Sequence, residues 1–199
     1  MAEQREDRSL HGSVPDQSDV ALLIIDVIND LEFDDGDKLL QFALPMAERL
    51  AELRQRFRDT GLPVVYANDN FGRWRSDFRV QVDHCLNEGV RGKPIVELLR
   101  PHDDDYFVLK PKHSAFYATT LDVLLEHLRV RSLVITGVAA DICVLFTAND
   151  AYMRDFDIVI PSDCVAANTR QQSDVALQLM HRVLKADIRP SSQLLRSIG

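Results

Sequence analysis

Three side chains of different chemistry stand at the ends of apolar runs far apart in this chain: the carboxylate of Asp26, the amine of Lys110 and the thiol of Cys143. Cys143 closes the stretch Gly137-Val138-Ala139-Ala140-Asp141-Ile142-Cys143, after the apolar run Leu133 to Ile135 and before a helix-like segment from Val144 to Arg154. A thiol where a buried strand gives way to a helix receives backbone N–H groups and the positive end of the helix dipole, both of which favour its thiolate. Cys143 is therefore the candidate nucleophile. A free thiol is mostly protonated at neutral pH, so nucleophilic work also needs a proton acceptor and nearby positive charge. Each residue alone has a plainer role: a core cysteine, a capping aspartate, a lysine at a strand end.

The elements that must position these groups follow from the apolar pattern. Val20 to Ile25 is a continuous apolar run ending at Asp26, which reads as a strand covered on both faces in a parallel sheet. Leu39, Ala43, Met46, Leu50, Leu53 and Phe57 mark an amphipathic helix, whose regular part Pro45 predicts to begin near Leu44. Further strands are expected at Val64 to Ala67, Tyr106 to Leu109, Leu133 to Thr136 and Asp157 to Ile160, with a last extended piece near Ala186 to Ile188. Helices are expected around Ile95 to Leu99, through Leu121 to Leu128, over 142–154, and over Ser173 to Leu184 with Ala176, Leu179, Met180 and Val183 facing inward. The polar excursion from Asn68 to Gly92 should hold a short helix or two. Strand and helix alternate, so the expected fold is α/β, a three-layer doubly wound sandwich around a mainly parallel sheet of about six strands. In such sheets ligands bind outside the carboxyl ends of the strands, where Asp26, Lys110 and Cys143 all fall.

Composition narrows the function classes. The chain has 199 residues, 31 acidic against 23 basic, for a net charge of −8, with the basic residues scattered, so nucleic acid is not an expected partner. Residues 1–18 are polar, without a signal-peptide core, and read as a disordered or exchanged N-terminal arm before one domain over 19–199. No apolar run approaches a membrane span, and Cys85, Cys143 and Cys164 form neither an even disulfide set nor a CxxC pair. A cytoplasmic protein with free thiols, acting on a small molecule and not at a membrane, is the expectation. No GxGxxG or Walker loop occurs among the eight glycines, which argues against nucleotide binding.

Three segments together carry a resemblance: Leu22-Leu23-Ile24-Ile25-Asp26-Val27-Ile28-Asn29-Asp30, Lys110-Pro111-Lys112-His113-Ser114-Ala115-Phe116, and Thr136-Gly137-Val138-Ala139-Ala140-Asp141-Ile142-Cys143-Val144. Over about Val20 to Pro190, and in the same order, the sequence resembles the isochorismatase-like cysteine hydrolases, which include nicotinamidases, N-carbamoylsarcosine amidases and ureidoacrylate-type amidases. The resemblance implies Asp26 as general base, Lys110 as positioning cation and Cys143 as nucleophile. It also implies a cis peptide between Val138 and Ala139, an oxyanion hole from the backbone N–H groups of Ala139 and Cys143, and a homodimer or homotetramer.

Asn70, Phe71, Trp74 and Phe116 are candidate substrate-binding residues, with local loop packing as the alternative. Nicotinamidases carry an Asp-x-His pair after the second strand; here Asp69 is followed two positions on by Phe71, and no metal or other cofactor is expected. His84, His102 and His113 are dispersed and read as solvated or structural, and Asp141 reads as the cap of the nucleophile's helix. The expected activity is cleavage of an amide, carbamoyl or ureido C–N bond through a thioester. The alternatives are a vinyl ether hydrolase of isochorismatase type, whose chemistry uses no cysteine nucleophile, and a non-catalytic binding or scaffold protein of the same fold.

Overall fold

A computed structural model describes residues 17–70 and 77–194. The N-terminal arm, for all but its last two residues, and the candidates Phe71 and Trp74 lie outside them. Five strands, β1 (Val20–Ile25), β2 (Val64–Asp69), β3 (Tyr106–Lys110), β4 (Ser132–Val138) and β5 (Asp157–Val159), form a parallel sheet in the order β3-β2-β1-β4-β5. A two-residue sixth strand, β6 (Val165–Ala166), pairs with the end of β4. Because β1 faces helices on both sides, its alternate residues enter two cores. Leu23 and Ile25 join the core under α4 (Leu121–Leu128), α5 (Leu145–Tyr152) and α6 (Arg170–Leu184). Leu22 and Ile24 join the core under α1 (Gly36–Asp59), α2 (Phe78–Asn87) and α3 (Lys93–Leu98).

The winding reverses between β1 and β4, so a crevice opens beyond their carboxyl ends. Register sets its dimensions. Ile25 pairs with Gly137, and Asp69 at the end of β2 pairs with Lys110 at the end of β3. Gly137 has φ +103, and a Cβ built there would stand 2.1 Å from the Ile25 carbonyl oxygen. No side chain fits that approach. Asp26 itself has φ +53, a left-handed turn that aspartate tolerates better than most residues, and its N–H donates to the Ala67 carbonyl at 3.0 Å.

Several expectations are corrected. The first long helix begins at Gly36, not near Leu44, with Pro45 inside it. Pro45 and Gln41 both sit on the exposed face, so the carbonyl that proline leaves unpaired can be solvated. The sixth strand is Val165–Ala166; the segment around Ala186 makes only an isolated bridge, Asp187 to Val159. On α6 the inward residues are Ala176, Leu177, Met180 and Leu184, whereas Leu179 and Val183 are exposed. The segment after β4 opens as a π-helical turn, Ala140–Val144, before α5. Asp141 lies inside that turn and does not cap it; the cap position is Ala139, which makes no side-chain cap bond.

Candidate active site

The carboxyl ends of β1 and β3 and the turn after β4 bring Asp26, Lys110 and Cys143 together. Lys110 Nζ lies 2.8 Å from Asp26 Oδ2 and 3.6 Å from Cys143 Sγ. Its side chain has no exposed surface, so it is not a surface lysine, and its ammonium also donates to the Lys112 carbonyl at 3.1 Å. Asp26 Oδ1 accepts the Asp69 N–H at 2.7 Å, which leaves the other oxygen for the lysine. The carboxylate is thus oriented by backbone and salt bridge at once. The Val138–Ala139 peptide bond is cis. Beyond it the Ala139 carbonyl accepts from the N–H groups of Ile142 at 3.1 Å and Val144 at 3.2 Å, the wide π-type turn on which Cys143 sits.

The electrostatics differ from the expectation of a resting thiolate. Burial, and then the negative charge of Asp26, push the Cys143 thiol up to about 12, against the opposing pull of Lys110. Burial also raises Asp26 above the ordinary carboxylate value, with Lys110 pulling it part of the way back. For Lys110, burial works against the charged form, but Asp26, Cys143 and Asp69 outweigh it and its pKa is raised. The ground state is therefore a neutral thiol beside a carboxylate that is paired with an ammonium. This arrangement can transfer the thiol proton to Asp26 when an electrophile arrives, without creating net charge.

Two further residues reach this cluster. Asp69 Oδ2 is 3.7 Å from Lys110 Nζ, because β2 runs two residues beyond the expected strand and places Asp69 beside Lys110 in register. His113 Nδ1 is 3.9 Å from Cys143 Sγ, so this histidine, read from sequence as solvated or structural, lies at the candidate site. The usable signal was its place in the loop following β3, on the side of the sheet where ligands bind. His84, in contrast, pairs with Asp30 and Glu88 on the surface. Of the pocket candidates, Asn70 is buried beside the site, its N–H donating to the Lys110 carbonyl at 3.0 Å. Phe116 goes elsewhere: it is buried in the core beneath α5, with Phe156 at 6.0 Å and the Arg154 guanidinium 4.7 Å over its ring. Among the described residues, no three His, Cys, Asp or Glu side chains are grouped as metal ligands, and no helix is long and apolar enough to cross a membrane.

Residues 20–187 match the sequence model of the isochorismatase domain. The chain belongs to the isochorismatase family. It is an isochorismatase-family hydrolase by this match and by its relatives. The uncharacterized isochorismatase family protein YaaI of Bacillus subtilis is 45% identical over 179 residues, covering 90% of this chain and 98% of the relative. The crystal structure of N-carbamoylsarcosine amidase from Thermoplasma acidophilum is 28% identical with a TM-score of 0.66, covering 87% of this chain and 97% of that one. The nicotinamidase/pyrazinamidase PncA of Bacillus subtilis is likewise 28% identical, with a TM-score of 0.67 and coverage of 86% and 100%. Family members thus share this sheet and include amidases.

Proposed function

We propose that the protein is a cysteine amidohydrolase that cleaves a C–N bond of a small amide, carbamoyl or ureido compound through a thioester, without a metal. The observation that carries this reading is the chain of contacts from the Asp26 carboxylate through the buried Lys110 ammonium, 2.8 Å away, to the Cys143 sulfur 3.6 Å beyond. Asp26 takes the thiol proton as sulfur attacks the carbonyl carbon. The developing oxyanion is received by the N–H groups of Ala139 and Cys143, donors worth about 3 kcal/mol each in comparable sites. Collapse of the tetrahedral species breaks the C–N bond, and Asp26 gives its proton to the departing amine. It then takes a proton from water, whose oxygen attacks the thioester, and returns it to sulfur as the acid leaves. Lys110 remains an ammonium throughout, holding the carboxylate in place and offsetting charge on sulfur.

The presence of amidases among the relatives supports the bond class, and the absence of an Asp-x-His pair at Asp69 supports the omission of a metal. The test is incubation with a panel of small amides, ureido acids and nicotinamide, with and without chelator, followed by intact mass spectrometry. The expected outcome is chelator-insensitive turnover with an acyl adduct on Cys143, both lost in Cys143→Ala. Turnover that persists in Cys143→Ala would overturn the thioester, and turnover abolished by chelator would overturn the metal-free part.

A further inference from the structure

His113 belongs to the KPKHSAF segment, but neither the triad nor the oxyanion donors use it. Its Nδ1 is 3.9 Å from Cys143 Sγ, and its ring packs against that of Phe146 with centroids 5.4 Å apart. The contact has a defined direction. A thiol carries one proton, and once that proton has passed to Asp26 in the reaction proposed above the sulfur is left with none to donate. Sulfur can therefore meet Nδ1 only as an acceptor, so the imidazole nitrogen facing it must carry the hydrogen.

We infer that His113 is a further catalytic residue of the reaction proposed above: an N–H donor to the sulfur of Cys143, independent of Lys110, stabilising the thiolate as Asp26 removes its proton. This assignment rests on Cys143 being the nucleophile. Lys110 alone meets a costly demand, because its ammonium is already shared with Asp26 and the Lys112 carbonyl. A second donor shares the charge on sulfur during attack and again when water expels it from the thioester.

The donor is held in place from both sides. Before it, the Lys112 carbonyl accepts from the Lys110 ammonium. After it, the Ala115 N–H donates to Thr147 Oγ1 at 3.0 Å, which fastens the loop to α5, and Phe146 on that helix backs the ring. The imidazole is exposed, so its removal leaves no cavity in the core.

The test measures alkylation of Cys143 by iodoacetamide at neutral pH, quantified by peptide mapping, in the parent, His113→Ala and His113→Asn. The asparagine amide nitrogen can occupy roughly the place of Nδ1. His113→Ala is expected to slow alkylation about tenfold, the effect of one hydrogen bond to a charged acceptor, with an unchanged Tm, and His113→Asn to recover most of it. Equal rates in parent and His113→Ala, or a loss that His113→Asn leaves unrepaired, would overturn the assignment. The readout needs no substrate, so its outcome is separable from the amidase reading. Slowed alkylation in a protein that hydrolyses no amide keeps the donor and removes the amidase. Cys143-dependent hydrolysis unaffected by His113→Ala does the reverse.

Discussion

Cys143 in the turn beyond the carboxyl end of β4 and Cys85 on the core-facing side of α2 are both thiols that burial pushes up to about 12. Resting acidity does not distinguish them. Around Cys85 the charged neighbours are Asp30 and Glu88, both of which oppose a thiolate. Cys164, also in that core, is raised by burial and by Asp163. Among the described residues, only Cys143 of the three has an ammonium within 4 Å of sulfur, and only Cys143 is not buried in the core. Reactivity in this molecule is thus a matter of partners that can move a proton and hold charge, and not of a preformed thiolate.

The comparison breaks first at Lys110. Replacing it with methionine leaves Asp26 buried without its cation, and removing one member of a buried pair costs about 3–5 kcal/mol. Lys110→Met is therefore expected to lose that much stability near neutral pH in urea unfolding, and to bring alkylation of Cys143 down toward the rate of Cys85. The stability gap should narrow in acid, where Asp26 is protonated and needs no cation.

Asp26 sharpens the comparison through pH. It accepts a proton only when ionised, and burial holds its carboxyl above the ordinary value of 3.8 despite Lys110. Turnover should accordingly fall, as pH is lowered, at a higher pH than an ordinary aspartate would give. The sign for folding is opposite. A carboxyl raised by folding binds its proton more tightly in the native state, so stability is lost as pH rises from the unfolded value through the raised one. A pH–rate profile beside unfolding curves checks both trends, and Asp26→Asn should remove the limb while lowering turnover by about 10²–10⁴.

The smallest effect belongs to the core thiols. Cys85→Ala and Cys164→Ala should each cost about 1 kcal/mol for the lost packing and leave turnover unchanged. Mass mapping after iodoacetamide should find both cysteines unlabelled until the fold is melted.

Much of this arrangement is legible in the sequence, because an apolar run that ends abruptly in Asp26 or Lys110 marks both the strand and its functional end. The long helix was misjudged at Pro45 because the sequence does not reveal that proline faces outward, where a lost hydrogen bond is cheap. Strand β6 was invisible because two residues carry no period, and its pairing with β4 is wholly tertiary. On α6, apolar residues lie on more than one face, so Leu179 and Val183 fit a stripe that the sheet does not cover. Asp69 and His113 were missed for a related reason. Their role depends on strand register and on a loop folded back over Lys110, which spacing along the chain does not encode.

Gly137 carries a consequence for how such a protein can change over time. Since its backbone rests directly against that of Ile25, the gap between the acid-bearing and sulfur-bearing strands is set by main-chain contact and not by any side chain nearby. Residues lining the mouth are then free to be exchanged, altering which molecule is admitted, while the reacting groups keep their spacing.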